Sequence, residues 1–239
     1  MEFIQRLEAI SSSQTHGFKR FTLYKLLEEK NMKVVFLGDS ITDAGRNTTN
    51  GSMVSIGQSY PLILDAKLSV SEPGKYEFIN TGVSGSRIVD IYARIKTDAW
   101  NEQPDIISIL IGVNDVWHEF MEHHGGVDAK RFEAVYRMLL ADTLERFPKV
   151  KFLMLEPFIL YAAATQEKWD EFYHEVRLRA DAVQRIAAEF HQVFVPLQNV
   201  FDQASTIQPA EYWLADGVHP TPAGHQLIAD AWLSTFQNI

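Results

Sequence analysis

Ile106-Ile107-Ser108-Ile109-Leu110-Ile111-Gly112-Val113-Asn114-Asp115 joins an apolar run, broken only by Ser108, to a glycine and then to two side chains rich in hydrogen-bonding groups. Apolar residues on consecutive positions imply a strand covered on both faces, because a strand with one wet face would alternate. Such a strand belongs to a parallel sheet with helices on each side. Working outward, the same pattern recurs at Lys33–Leu37, Tyr76–Asn80, Lys151–Leu155 and Gln192–Val195, each bounded by Gly, Pro, Asn or charge. Helical periodicity occupies Gln58–Leu68, Ile88–Thr97, Asp128–Phe147, Glu167–Phe190 and, after the last strand, Thr221–Phe236. That alternation is the signature of βαβ units. It predicts an α/β protein, a three-layer α/β/α sandwich around a five-stranded parallel sheet.

In an open sheet of this flavodoxin-like kind, ligands bind outside the carboxyl ends of the strands. Composition sets the outer bounds on function. With 239 residues, 46% of them hydrophobic and 22% charged, the chain can bury a large core. A net charge of −9 opposes binding to nucleic acid or to an anionic membrane surface, so a small-molecule substrate is the expected partner. The absence of cysteine removes disulfides and thiolate chemistry and leaves hydroxyl, carboxylate and imidazole groups for catalysis. Glu2, Arg6 and Glu8 interrupt the apolar residues of Met1–Ile10, so no secretory leader is expected and a cytoplasmic location is. Residues 1–31 stand outside the alternation. Glu2–Ile10 and Phe18–Glu29, separated by Ser11-Ser12-Ser13 and Gly17, predict a helical appendage ahead of a domain over 32–239. An oligomer contact, a clamp on the sheet edge and a mobile arm remain open for it.

Four strand ends carry the candidate chemistry. The first run leads into Gly38-Asp39-Ser40-Ile41-Thr42, where Asp39 or Ser40 would serve equally well as a helix cap. The second ends in Asn80-Thr81-Gly82-Val83-Ser84-Gly85-Ser86, whose glycines let backbone amides approach a ligand. The third ends in Gly112-Val113-Asn114-Asp115, which alone would pass for an Asx turn. Near the end of the chain, Asp216-Gly217-Val218-His219-Pro220 sets a carboxylate three residues before an imidazole, ahead of a helix that Thr221 can cap. Each block has a bland explanation. Together they supply an activatable hydroxyl, a base, an orienter for that base and oxyanion donors, the set that acyl transfer requires.

These blocks, in this order, resemble those of the SGNH hydrolases, also called GDSL esterases, over roughly residues 33 to 236. The resemblance implies Ser40 as nucleophile, His219 as base and Asp216 as its orienter. It implies an oxyanion hole of the Ser40 and Gly85 backbone amides and the Asn114 side chain, with no metal and no cofactor. Ile41 replaces the leucine of the family's name, and Val113 replaces a glycine, which is expected to narrow the pocket slightly. Ile111-Gly112-Val113-Asn114-Asp115-Val116-Trp117, Glu156-Pro157-Phe158 and Gly217-Val218-His219-Pro220-Thr221 resemble the bacterial branch that includes acetylxylan esterases, which implies acetylated sugars or xylo-oligosaccharides as substrate. Lysophospholipase or thioesterase activity and a non-catalytic carbohydrate-binding or scaffold role are the alternatives.

Asp39, Arg46, Arg87, Trp117 and Trp213 are the candidates for substrate contact, with Tyr161 a further aromatic near the rim. His118-Glu119-Phe120-Met121-Glu122-His123-His124 concentrates histidines and acids, but its spacing misses the His-Glu-x-x-His metal pattern and reads better as a solvated loop or helix end. His225 reads as a packing residue. The aromatic content and the appendage make a homo-oligomer an open expectation.

Overall fold

The computed structural model describes residues 31–47 and 55–237. Five strands, β1 (Met32–Gly38), β2 (Tyr76–Asn80), β3 (Ile106–Leu110), β4 (Lys151–Leu155) and β5 (Val193–Val195), are all parallel and lie in the order β2-β1-β3-β4-β5. The helices are α1 (Ser40–Asp43), α2 (Tyr60–Ser71), α3 (Ile88–Asp98), α4 (Val113–Trp117), α5 (Ala129–Arg146), α6 (Trp169–Glu189), α7 (Gln198–Ser205), α8 (Ala210–Trp213) and α9 (Pro222–Phe236). This is the expected sandwich, in the flavodoxin-like strand order. The helical segments expected at Glu2–Ile10 and Phe18–Glu29 lie outside the described residues.

Pleating explains why the strands are apolar at consecutive positions. Val34 and Phe36, Ile106 and Leu110, and Leu153 and Leu155 enter one layer, where Leu64 of α2 and Ile228 and Trp232 of α9 meet them. Val35 and Leu37, Ile107 and Ile109, and Phe152 and Met154 enter the other, among Ile91 of α3, Leu139 of α5 and Val183 of α6. Ser108 interrupts the apolar run of β3 and is fully buried. Its Oγ accepts from Trp232 Nε1 at 3.0 Å, which avoids the ~1–3 kcal/mol cost of an unpaired buried hydroxyl.

The caps follow the residue types. Asp128 accepts from Arg131 N at 2.9 Å at the start of α5, and Thr221 accepts from Gly224 N at 3.3 Å at the start of α9. The apolar run of β3 stops at Leu110, one residue short of expectation, because the chain turns at Gly112 into α4. The short helices α7 and α8, unmarked by any long periodic stretch, fill the connection between β5 and α9. No helix among the described residues is long and apolar enough to cross a membrane.

Strand order reverses between β1 and β3. The chain leaves β1 toward β2 on one side, and β3 pairs on the other side of β1. Connections diverge at such a point and open a crevice above the strand ends. Gly38 closes β1 there, and only glycine fits: a Cβ would sit 2.2 Å from Thr42 Oγ1 and 2.8 Å from the Leu110 carbonyl oxygen.

Candidate active site

Asp39 caps α1, its Oδ1 accepting from Ile41 N at 3.0 Å, and Ser40 is therefore the first residue of that helix. Ser40 Oγ lies 2.9 Å from His219 Nε2, across 179 positions of sequence. On the other side of the ring, His219 Nδ1 lies 2.7 Å from Asp216 Oδ2. The second Asp216 oxygen accepts from Val218 N at 2.9 Å and His219 N at 2.8 Å, so the turn orients its own carboxylate. A hydroxyl, an imidazole and a carboxylate in this order can remove the hydroxyl proton and stabilise the imidazolium that results.

The electrostatics agree with that chain. Burial pushes the Asp216 carboxyl up, but the hydrogen bond from the His219 ring and those from the His219 and Val218 amides outweigh it and bring the group to about 2. The hydrogen bond to Asp216 raises His219 above its ordinary 6.5, against the opposing effect of burial. By linkage, Asp216 contributes stability above the ordinary carboxylate range that is lost as pH falls toward 2. His219 contributes stability below 6.5 that is lost as pH rises through its raised value.

Facing this pair is the loop from Asn80 to Arg87, held from several directions. Asn80 Nδ2 donates to the carbonyls of Thr42 at 2.7 Å and Ile56 at 2.8 Å, while its Oδ1 accepts from Gly82 N at 2.9 Å. Ser84 donates its N–H and its hydroxyl to Asp43 Oδ2 at 3.1 and 2.7 Å. Asn114 Nδ2 donates to the Ser86 carbonyl at 3.2 Å, and both Asp115 oxygens accept from Ile88 N, at 3.1 and 3.2 Å. Gly85 has φ +79° and open space where a Cβ would lie, so the cleft reaches its backbone directly. Among the described residues the N–H groups of Ser40 and Gly85 make no hydrogen bond. Asn114 spends one of its two amide hydrogens on Ser86 and keeps the other. Three donors at this edge therefore remain available for a negative oxygen.

The proposed substrate contacts divide. Trp117 stands beside the catalytic-candidate imidazole, its ring centroid 5.8 Å from that of His219. Asp39 is instead 1% exposed and spent on the cap, and burial raises its carboxyl to about 6. Arg46 is also turned inward, with Nε donating to the Gly82 carbonyl and 3.6 Å from Asp43. Arg87 holds Asp90 through Nε at 2.9 Å and Nη2 at 3.1 Å and donates Nη1 to the Gly125 carbonyl. These arginines brace the loops. Trp213 is a strut under the His219 turn, its carbonyl accepting from Thr221 N at 2.9 Å and its indole donating to the Gln208 carbonyl. Val113 is buried in the core, so it does not narrow the cleft.

His225 is buried as expected, with Nδ1 unpartnered, and burial followed by the nearby His219 lowers it to about 4. Within the histidine-rich segment, His124 Nδ1 lies 2.8 Å from the Glu119 carbonyl. Among the described residues no three histidines or acids come together in a way that would hold a metal ion. Asp43, Ser84 and Asp115 are the functional supports that reading the sequence passed over. Asp115 is fully buried, and burial outweighs the Ile88 N–H and Arg179 in raising it to about 8. It lies inside the Gly112-Val113-Asn114-Asp115 block, yet only its distant partner reveals what it does.

Residues 36–227 match the GDSL-like lipase/acylhydrolase family. The chain belongs to this family. As a family member it is a carboxylic ester hydrolase. It is 34% identical over 212 residues to the acetylxylan esterase of Geobacillus stearothermophilus, covering 84% of this chain and 92% of that one. Among solved structures, a GDSL-like lipase from Parabacteroides merdae, so described, superposes with a TM-score of 0.82 at 33% identity, covering 87% of this chain and 97% of that one. The Geobacillus acetylxylan esterase Axe2 superposes with a TM-score of 0.76 at 29% identity, covering 87% and 95%. Solved catalytic mutants of Axe2 alter a serine, an aspartate and a histidine. There the serine and histidine are 179 positions apart with the aspartate three before the histidine, the separations of Ser40, Asp216 and His219 in this GDSL-family chain.

Proposed function

We propose that this hydrolase removes short acyl groups, acetyl above all, from sugars through an acyl-enzyme on Ser40. Ser40 Oγ attacks the ester carbonyl carbon while His219 Nε2 takes its proton and Asp216 stabilises the imidazolium. Charge developing on the carbonyl oxygen meets the Ser40 and Gly85 N–H groups and the Asn114 amide. His219 then returns the proton to the departing sugar oxygen as its bond to carbon breaks. Water repeats the sequence, giving up a proton to His219 and releasing acetic acid and free Ser40. Every step uses groups of the chain and water.

The observation that carries the mechanism is the hydrogen-bonded line Ser40–His219–Asp216, at 2.9 and 2.7 Å, facing unspent donors at the same strand ends. Acetylated sugar as the substrate draws its support from the 34% identity to an acetylxylan esterase over nearly its whole length. The test is acetate release from acetylated methyl xyloside, with 4-nitrophenyl acetate and octanoate in parallel, by the parent and Ser40→Ala. The parent should favour acetate esters, and Ser40→Ala should fall by on the order of 10⁶ in kcat. A fluorophosphonate should add its mass at Ser40. Retention of activity within about tenfold in Ser40→Ala, a loss of only ~1.4 kcal/mol, would remove the nucleophile assignment. Preference for the octanoate would move the chain toward the lysophospholipases.

A further inference from the structure

Three of the five tryptophans are anchored through the indole N–H. Trp100 donates to Thr143 Oγ1 at 3.0 Å, Trp213 to the Gln208 carbonyl at 3.3 Å and Trp232 to Ser108 Oγ at 3.0 Å. Trp117 and Trp169 donate to nothing among the described residues. A tryptophan normally finds a partner for that group when its ring is buried. Both of these rings are half-buried, packed against the core beneath them, and both stand at the carboxyl edge of the sheet. Trp117 closes α4 after β3, and Trp169 opens α6 after β4.

The two are parts of one rim that begins at the catalytic histidine. Trp117 lies 5.8 Å from the His219 ring and 6.0 Å from Phe172, which shares the first turn of α6 with Trp169. Trp169 is flanked by Tyr161 at 5.5 Å and Tyr173 at 5.1 Å. Tyr161 is 52% exposed, on a segment laced to the catalytic turn: Leu160 N donates to the Gly217 carbonyl and Ala164 N to that of Asp216, both at 2.9 Å. The hydroxyls of Tyr161 and Tyr173 also lack hydrogen-bond partners among the described residues.

Flat apolar faces with unspent donors at their edges match a pyranose, which has an apolar C–H face and a margin of hydroxyl acceptors. An acyl chain would have no use for the donors. We propose that Trp117 and Trp169, with Tyr161 and Tyr173 beside the latter, form a pyranose-stacking rim that holds the sugar units of an oligosaccharide beyond the acetylated one. The assignment rests on the sugar-deacetylase reading of Ser40, and it makes the enzyme sensitive to the length of the oligosaccharide.

The test compares kcat/KM on acetylated xylotetraose with that on acetylated methyl xyloside. The ratio should favour the tetraose by about tenfold in the parent and fall toward one in Trp169→Ala, the size expected for one stacked ring. Trp169→Phe, with a smaller ring, should lie between, and it carries the comparison together with Tyr161→Ala should the alanine variant not fold. Unacetylated xylotetraose titrated into Ser40→Ala and followed by indole fluorescence reads binding without chemistry. A ratio that none of these variants moves, with no fluorescence response, overturns the rim. Loss of self-association in Trp169→Ala at an unchanged ratio assigns the rim to a second copy of the chain and overturns it equally. Should xylotetraose bind at Trp169 while no sugar acetate is cleaved, the deacetylase reading fails and the rim stands; hydrolysis of sugar acetates without such binding is the reverse result.

Discussion

The two sides of the cleft are built in opposite ways. The turn Asp216–Pro220 organises itself: Asp216 accepts from the N–H groups two and three residues ahead and from the ring of His219, all within four residues. The loop Asn80–Arg87 has few bonds of its own, Gly82 N to Asn80 Oδ1 and Ser86 N to the Val83 carbonyl. Most of its bracing comes from Thr42 and Ile56 through Asn80, from Asp43 through Ser84, and from Asn114 and Asp115 through Ser86 and Ile88, at separations of 24 to 41 positions. The side proposed to move a proton is local, whereas the side proposed to receive negative charge is a convergence of distant segments. A change on the local side should therefore alter how the base titrates, and a change on the assembled side should alter turnover without moving the base.

The largest break is expected from Asp216→Asn. The amide can still accept from Val218 N and His219 N, so the turn persists while the charge is lost. Turnover should fall about 10⁴-fold. Because Asp216 raises His219 and the base must be neutral to act, the acidic limb of kcat/KM against pH should lie above 6.5 in the parent and move to lower pH in the variant. An unmoved limb would show that the carboxylate does not set the base.

Next in size is Asn114→Ala on the assembled side. Loss of one oxyanion donor should reduce kcat by about 10² to 10³, with the acidic limb where the parent has it. A shift of that limb in stopped-flow or steady-state pH profiles would erase the distinction between the two sides.

Asp43→Ala sharpens the comparison further, since Asp43 touches neither His219 nor the reacting carbonyl. It releases the two bonds from Ser84 and the pairing with Arg46. The loop that carries Gly85 should loosen, and kcat should drop by about tenfold, ~1.4 kcal/mol, at an unchanged acidic limb. Faster amide hydrogen exchange confined to residues 82–86 would identify the cause.

Asp115→Asn should be the mildest at neutral pH. Burial keeps the carboxyl protonated up to about 8, and asparagine reproduces that form while still accepting from Ile88 N. The folded state holds this proton between the unfolded value of 3.8 and about 8, so parental stability should decline across that window as pH rises. The variant should unfold within ~1 kcal/mol of the parent at pH 6, the scale of one hydrogen bond, and lack that part of the decline. Urea titrations at pH 6 and pH 9 measure both.

Sequence alone determined what depends on neighbours in the chain. The both-face burial of the strands showed in consecutive apolar positions, and all five expected helices lie within three residues of their predicted bounds. The Asp216–His219 turn was legible for the same reason, since its partners are three residues apart. Tertiary structure decided which polar side chains are spent inside the fold. Arg46, Arg87 and Asp39 sit in the expected blocks and are bonded within the fold, because a guanidinium or carboxylate goes to whichever backbone group comes within reach. For Arg46 and Arg87 those groups are carbonyls 36 and 38 positions along the chain, a distance only folding can close. The indole of Trp169 shows the converse. Nothing near it in sequence marks it as unspent, and it becomes distinctive, with Trp117, only when the other three tryptophans are seen to have found their partners.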